Sequence, residues 1–365
     1  MLGIMQAGTR PVRPPSNPIA GRCDELARAV VDIQFERWPA LYARYGEAGR
    51  DKCAQDLRYH VLYLAEAVAA NSPPLFREYA AWVKVLFANI GIPAEELGES
   101  LEILRDVVAA RVDDATAERV RACVAAALDG LPGMAVDVPC FIREGAPHGA
   151  VAKTYLSLLL AGDRHAATAL VLDRIEGGMA VGDVYLHVFQ PVLREVGRLW
   201  QTGAISVAHE HFATAATQAV MAQLYPRIFT TERRGRSMVA TCVSGELHEI
   251  GIRMVADFFE MSGWDTYYLG ANTPARSIVR AIVERDAQVL AVSATITAHV
   301  GTVTDLIADV RAELGERPVR VLVGGYPFNL VPDLWKTVGA DASAASAADA
   351  VALAGRLADT IPMPG

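Results

Sequence analysis

No stretch of about 18 apolar residues occurs in this 365-residue chain, and no charged-then-apolar leader with a cleavage site opens it. The first absence excludes a membrane-spanning helix, and together they lead us to expect a cytoplasmic protein without membrane partners. The five cysteines (Cys23, Cys53, Cys123, Cys140 and Cys242) include no CxxC pair. Reduced thiols are therefore expected in place of a disulfide frame. Charged residues make up only 21% of the chain and the net charge is −8, which argues against a nucleic-acid surface. The Arg- and Pro-rich start (Arg10, Pro11, Arg13, Pro14, Pro15) is too short to change this, and 1–21 reads as a disordered tail. We find no solenoid repeat, kinase signature, winged helix or cyclase segment, so no catalytic output is expected.

What the chain has is apolar mass. Hydrophobic residues make up 52%, and the length suits two or three domains at roughly 150 residues each. Residues 22–133 read as an all-helical domain. Leu57, Val61, Leu64 and Val68 form one stripe, and Leu101, Leu104, Val107 and Val108 another. Residues 75–90 are apolar on more than one face, so this helix is either central in its domain or lines a pocket for a flat ligand. Arg58, Tyr59, His60 and Tyr63 precede it and Trp82 lies within it. Rings to stack on and a cation for propionates are what a conjugated tetrapyrrole needs. An aromatic core explains the same residues, and no cysteine suggests covalent attachment.

Residues 134–149 read as a linker, and 150–232 as an antiparallel four-helix bundle with short connections. Trp200 ends its third helix. Ser206 can cap the fourth, and Glu210 and His211 fall in that helix's opening turns. All three functional candidates can thus face one end of the bundle.

From 236 to 360, strand and helix alternate, which predicts a doubly wound, Rossmann-like sheet of five parallel strands. The strand over 238–243 leads into Glu246, Leu247, His248, Glu249, Ile250 and Gly251 before a helix. Ser293 and Thr295 close a second strand, and Gly324 and Gly325 another. Small or hydroxylated residues thus end successive strands at one edge, as if something long lies between them. In the first loop Glu246 can take one imidazole N–H of His248, leaving the other nitrogen for a metal.

These three ordered segments resemble the cobalamin-binding domain of methionine synthases, mutases and light-responsive regulators, whose signature is Asp-x-His-x-x-Gly, Ser-x-Thr or Ser-x-Leu, then Gly-Gly. The resemblance implies that His248 is the lower cobalt ligand and that the cofactor's nucleotide tail runs beside Ser293, Thr295, Gly324 and Gly325. Glu246 stands where the family usually has aspartate, which leaves open how taut its bond to the imidazole is. Trp200 followed by Glu210-His211 resembles the bundle that caps the upper corrin face in the light-responsive members, and implies contact with an adenosyl group. The carotenoid-gene regulators among them carry a second histidine directly after the tryptophan, which ligates cobalt once light expels the adenosyl. Here that position is Gln201, so an upper ligand after illumination is expected from His209 or His211, or from water.

The order of helical domain, cap and cobalamin domain resembles the photocobilins, which bind biliverdin beside cobalamin. That resemblance implies a non-enzymatic photoreceptor binding adenosylcobalamin and biliverdin, signalling by light-dependent self-association or through a separate effector. The alternatives are a corrinoid carrier for a methyltransferase, and a non-photochemical cobalamin sensor or storage module.

Overall fold

Proline and glycine set most of the boundaries in the computed structural model, which describes residues 17–361. The Arg- and Pro-rich start, and with it most of the expected 1–21 tail, lies outside the described residues. The N-terminal half forms α1 (Cys23–Arg37), α2 (Pro39–Ala69), α3 (Pro73–Asn89), α4 (Ala94–Ala109) and α5 (Asp114–Gly130). Proline opens both α2 and α3, where the missing N–H costs nothing. Gly46, at φ 63°, breaks α2. Leu57, Val61, Leu64, Leu101 and Leu104 are all buried, as their spacing requires.

The chain divides into two units, one made of residues up to Arg77 with Glu95–Gly130, the other of Glu78–Ala94 with Leu131–Gly365. The helical domain expected over 22–133 is therefore not one piece. Most of α3 joins the second unit because its polar groups are engaged there. Lys84 Nζ, for example, donates to the carbonyls of Leu131 and Met134 at 2.7 and 2.8 Å.

In the second unit α6 (Gly149–Leu160) and α7 (Arg164–Glu176) come first. Then α8 (Val181–Val184) runs through a π-helical turn, Tyr185–Phe189, into α9 (Gln190–Gln201). The bundle closes with α10 (Val207–Gln223) and α11 (Tyr225–Ile228). Asp163 caps α7 by accepting from Ala166 N at 2.9 Å.

The expected linker over 134–149 is strapped down. Glu195 on α9 is buried and needs donors, which Arg198 and the backbone N–H of Phe141 (2.9 Å) supply. Ile142, next along, enters the bundle core.

The sheet domain alternates β1 (Ser237–Cys242), α12 (Ile250–Met261), β2 (Asp265–Gly270), α13 (Ala275–Glu284), β3 (Val289–Ser293) and α14 (Val300–Leu314). It continues through β4 (Arg320–Gly324), α15 (Tyr326–Leu330), α16 (Leu334–Thr337), β5 (Ala342–Ala344) and α17 (Ala347–Ala358). All five strands are parallel in the order β2-β1-β3-β4-β5. The order reverses at the β1/β3 boundary, the place where such sheets bind ligands at their carboxyl edge. Registers of Cys242 with Ser293, Ser293 with Gly324, and Gly324 with Ala344 align four strand ends there.

α12 lies between bundle and sheet. Ile250 and Met254 pack into the bundle core, while Ile252, Ala256 and Phe259 pack into the sheet core. A helix apolar on two faces is stable only when covered on both. Polar bonds cross this junction too: Tyr185, in the π-helical turn, donates its hydroxyl to Asp257 at 2.7 Å. Burial pushes the Asp257 carboxyl up to about 6.

A carboxyl raised above its unfolded value near 3.8 favours the fold below that value, and the favour is lost as pH rises through 6. Asp257→Asn keeps an acceptor for Tyr185 without the charge. Its stability relative to wild type is expected to be higher at pH 8 than at pH 4, by at most about 3 kcal/mol. Thermal melts at both pH values check this, and an equal effect at each would reject the assignment.

Candidate cofactor-binding site

The loop after β1 is built around one buried carboxylate. Gly245 takes φ +83°, a conformation open to glycine, and its N–H donates to Asn272 Oδ1 at 2.7 Å. The turn drives Glu246 inward until it is 0% exposed. Oε1 accepts from His248 Nδ1 at 2.5 Å and from the His248 backbone N–H at 3.0 Å. Oε2 reaches across to the loop after β3, where it accepts from Thr295 N at 2.7 Å, Ile296 N at 3.2 Å and His299 Nδ1 at 3.2 Å. The longer side chain is thus taut, and its extra methylene lets it span two loops.

Burial alone would raise the Glu246 carboxyl, but hydrogen bonds from His248, His299 and the backbone hold it far below the usual carboxylate range. The same bond raises the His248 imidazole against the opposing effect of burial. The charge of Glu210 adds to the rise, which places the start of α10 within electrostatic reach of this loop.

With Nδ1 held, Nε2 is the ring nitrogen left to coordinate, on a side chain 61% exposed. Among the described residues no group of three or more His, Cys, Asp or Glu is placed to hold a metal ion. A metal held in a macrocycle would need only this one ligand from the chain. The edge beside it is open. A Cβ added at Gly251 would meet nothing within 4 Å, and Leu247 presents an exposed apolar side chain. Further along, a Cβ at Gly325 would lie 1.9 Å from the Ala294 carbonyl oxygen, so only glycine lets the β4 loop close on the β3 loop. Ser293 and Gly324 pair directly, giving a strand-end floor without bulky groups. These residues fit a metal macrocycle with a tail: one imidazole to ligate, an exposed apolar Leu247 beside it, and small residues at the strand ends.

Two residues of this loop have partners in the bundle. Ile250 packs into the bundle core because it begins the α12 stripe. Glu249 accepts from Gln218 Nε2 at 3.1 Å and so ties α10 to the loop.

At the facing end of the bundle, Trp200 is 38% exposed and its ring centroid lies 6.2 Å from that of Trp82, at 33°. Gln201 is buried and donates to the Trp82 carbonyl at 3.1 Å. Ser206 sits at the N-cap of α10, but its hydroxyl bonds His209 Nδ1 at 2.8 Å and no backbone N–H. Glu210 accepts from Thr214 at 3.1 Å and pairs with His211 Nδ1. His209 and His211 are both exposed with Nδ1 engaged, so either offers only Nε2 to a metal.

The tetrapyrrole candidates fall in both units, four of them in the first and Trp82 in the second. Arg58, Tyr59 and His60 are consecutive on a helix and must diverge by about 100° each. Arg58 pairs with Asp24 at 2.7 Å, Tyr59 is exposed, and His60 is buried, which pushes its imidazole down to about 4. Tyr63 is half-buried. Trp82 belongs to the second unit, with Trp200 as its ring neighbour.

The sequence reading missed His299, Gln218 and Tyr326. His299 carried a signal, since it follows Thr295 in the same strand-end loop. Tyr326, which bonds Glu78, directly follows the Gly-Gly pair.

Residues 236–354 match the model of the B12 binding domain, and residues 151–225 match a second model of the same description. Dimethylamine corrinoid protein 1 of Methanosarcina acetivorans is 28% identical over 187 residues, covering 50% of this chain and 81% of that protein. Monomethylamine corrinoid protein 1 of Methanosarcina mazei is 26% identical over 192 residues, covering 51% and 87%. Among solved structures, the Methanosarcina barkeri monomethylamine corrinoid protein superposes with a TM-score of 0.52 at 19% identity, over 58% of this chain and all of that one. The fold is shared with that protein. Two B12-binding segments in sequence, with the His248 loop inside one, make this a cobalamin-binding protein. No helix among the described residues is long and apolar enough to cross a membrane.

Proposed function

We propose that this cobalamin-binding chain is a light sensor that holds adenosylcobalamin with His248 below and the bundle's Trp200 and Glu210 above. When bound, that cofactor supplies a weak cobalt–carbon bond that absorbs visible light. The observation carrying the reading is the composition at the facing end of the bundle: two partly exposed indoles, Trp200 and Trp82, and a carboxylate, Glu210, within electrostatic reach of His248. A flat base suits the indoles and ribose hydroxyls suit Glu210, whereas a methyl group requires neither. Losing the upper ligand would remove these contacts. The bundle could then shift on α12, whose cap-side tethers are Gln218–Glu249 and Tyr185–Asp257. Such a shift would alter a surface for self-association or for a separate effector, with no catalysis by the chain itself.

A second reading has a specific finding in its favour. The relatives are named as methylamine corrinoid proteins, so a methyl-carrying corrinoid protein serving a methyltransferase is the better supported by likeness. Those matches cover about half of this chain, and a carrier gives no account of the N-terminal helices.

The two readings separate when adenosylcobalamin is loaded in the dark and the complex is lit with green light. The light sensor predicts a changed absorbance spectrum and a changed size-exclusion volume. An elution volume indifferent to light, with methylcobalamin bound at least as tightly as adenosylcobalamin, would favour the carrier. Adding biliverdin tests the N-terminal helices separately: a new red band is expected if they hold the bilin, and none if they are purely structural.

A further inference from the structure

Two features outside the recognised segments meet on one short stretch of α3. Glu78 and Trp82 are four residues apart and so share a face of that helix. Glu78 accepts from the hydroxyl of Tyr326, the residue after Gly325 at the carboxyl edge of the sheet. Trp82 lies against Trp200 at the end of α9, and its carbonyl accepts from Gln201. One helical turn therefore bridges the sheet edge and the end of the bundle. Arg194 of α9 also acts on the Tyr326 hydroxyl electrostatically, so bundle, sheet edge and α3 converge at this point. Further along the same helix Lys84 is fixed by two backbone carbonyls. The turn is thus held at three places: Tyr326, Gln201 and the 131–134 segment.

The exposure of Trp82 is informative. A helix anchored on both sides would be expected to bury its largest side chain, yet Trp82 and Trp200 both remain 38% exposed while touching each other. Two partly exposed indoles held 33° apart are a surface for a third flat ring. Bases stack on aromatic side chains of any such platform.

We propose that Trp82 is a wall of the upper-ligand chamber, forming with Trp200 a two-indole platform for the planar base of an adenosyl-type upper ligand, and that the Glu78–Tyr326 bond positions it. The inference deepens the light-sensor reading and rests on it. It also assigns a task to part of the N-terminal half: the turn 78–82 closes the cofactor site from the side.

The test measures dissociation constants of adenosylcobalamin and hydroxocobalamin in the dark for the full chain. Variants are Trp82→Ala, Trp82→Phe and Tyr326→Phe, with thermal melts alongside. The ratio of the two constants is expected to move against adenosylcobalamin about tenfold in Trp82→Ala, the size of one lost base–aromatic stack. Trp82→Phe should recover most of it, because the ring is kept. Tyr326→Phe should move the ratio the same way by a smaller factor. A wild type that prefers adenosylcobalamin, with a ratio untouched by Trp82→Ala, would overturn the platform and leave the light-sensor reading standing. Equal loss for both cobalamins, unrepaired by phenylalanine, would assign Trp82 to packing alone and also overturn it. A wild type with no adenosyl preference would overturn the reading and this assignment with it.

Discussion

Replacing His248 by alanine is expected to weaken hydroxocobalamin binding by about 100-fold or more and to abolish the spectrum of a histidine-ligated cobalt. Partners that only orient a metal ligand are typically worth about 10–100-fold in metal affinity, so the ligand itself should reach the upper end of that range. The fold should survive the change. His248 is largely exposed, and Glu246 keeps Thr295 N, Ile296 N and His299 Nδ1 as donors. The stability loss should stay near about 1–3 kcal/mol, the range for a hydrogen bond to a charged group. Free imidazole added to the variant should restore part of the histidine-type spectrum, because the space vacated has the shape of the ring. A spectrum that persists without added imidazole would place the lower ligand elsewhere.

The sheet and its edge were legible because parallel strands buried on both faces read as continuous apolar runs. Residues 238–243 and 289–292 announced themselves this way, and glycine or hydroxyl residues ended them. The bundle helices were legible for the analogous reason of helical periodicity, with Trp200 in the last turn of α9 and Glu210 and His211 early in α10. What stayed hidden depends on reach between distant segments. Nothing local in Glu246 says that its second oxygen crosses to Thr295, nearly fifty residues on. Nothing local assigns Trp82 to Trp200, since an apolar helix can be central or pocket-lining with the same spacing. The grouping of α3 was hidden for the same cause: it reads as one helix, but its polar and aromatic groups from Glu78 onward find partners in the second unit. The π-helical turn at Tyr185–Phe189 lies within an ordinary helical pattern, and the chain offers no proline or glycine there to signal it.

The second large effect is expected at Glu246, where the departure from the family's aspartate becomes a test of why the longer residue is present. Glu246→Asp shortens the arm by one carbon–carbon bond, about 1.5 Å. The carboxylate can then serve His248 or the Thr295 loop, but it cannot reach both. Cobalamin affinity should fall about tenfold, as for a lost orienting partner, and stability by about 1–3 kcal/mol for the donors left buried and unpaired. Glu246→Gln should also cost about 1–3 kcal/mol, because the amide turns an N–H group toward the buried backbone donors of the Thr295 loop.

The pH dependence gives the sign of the charge contribution in the protein without cobalamin. The lowered carboxyl stabilises the fold above its unfolded value near 4.5, and that stabilisation is lost as pH falls toward its depressed folded value. The raised imidazole stabilises below its unfolded value near 6.5, and that contribution is lost as pH rises through the raised value. The stability gap between wild type and Glu246→Gln should therefore be widest between about pH 4.5 and 6.5 and narrow on either side. Denaturant melts from pH 4 to 9 measure it. A gap that does not change with pH would mean that Glu246 spans the two loops by shape and hydrogen bonding alone, with no contribution from its charge to the imidazole it holds.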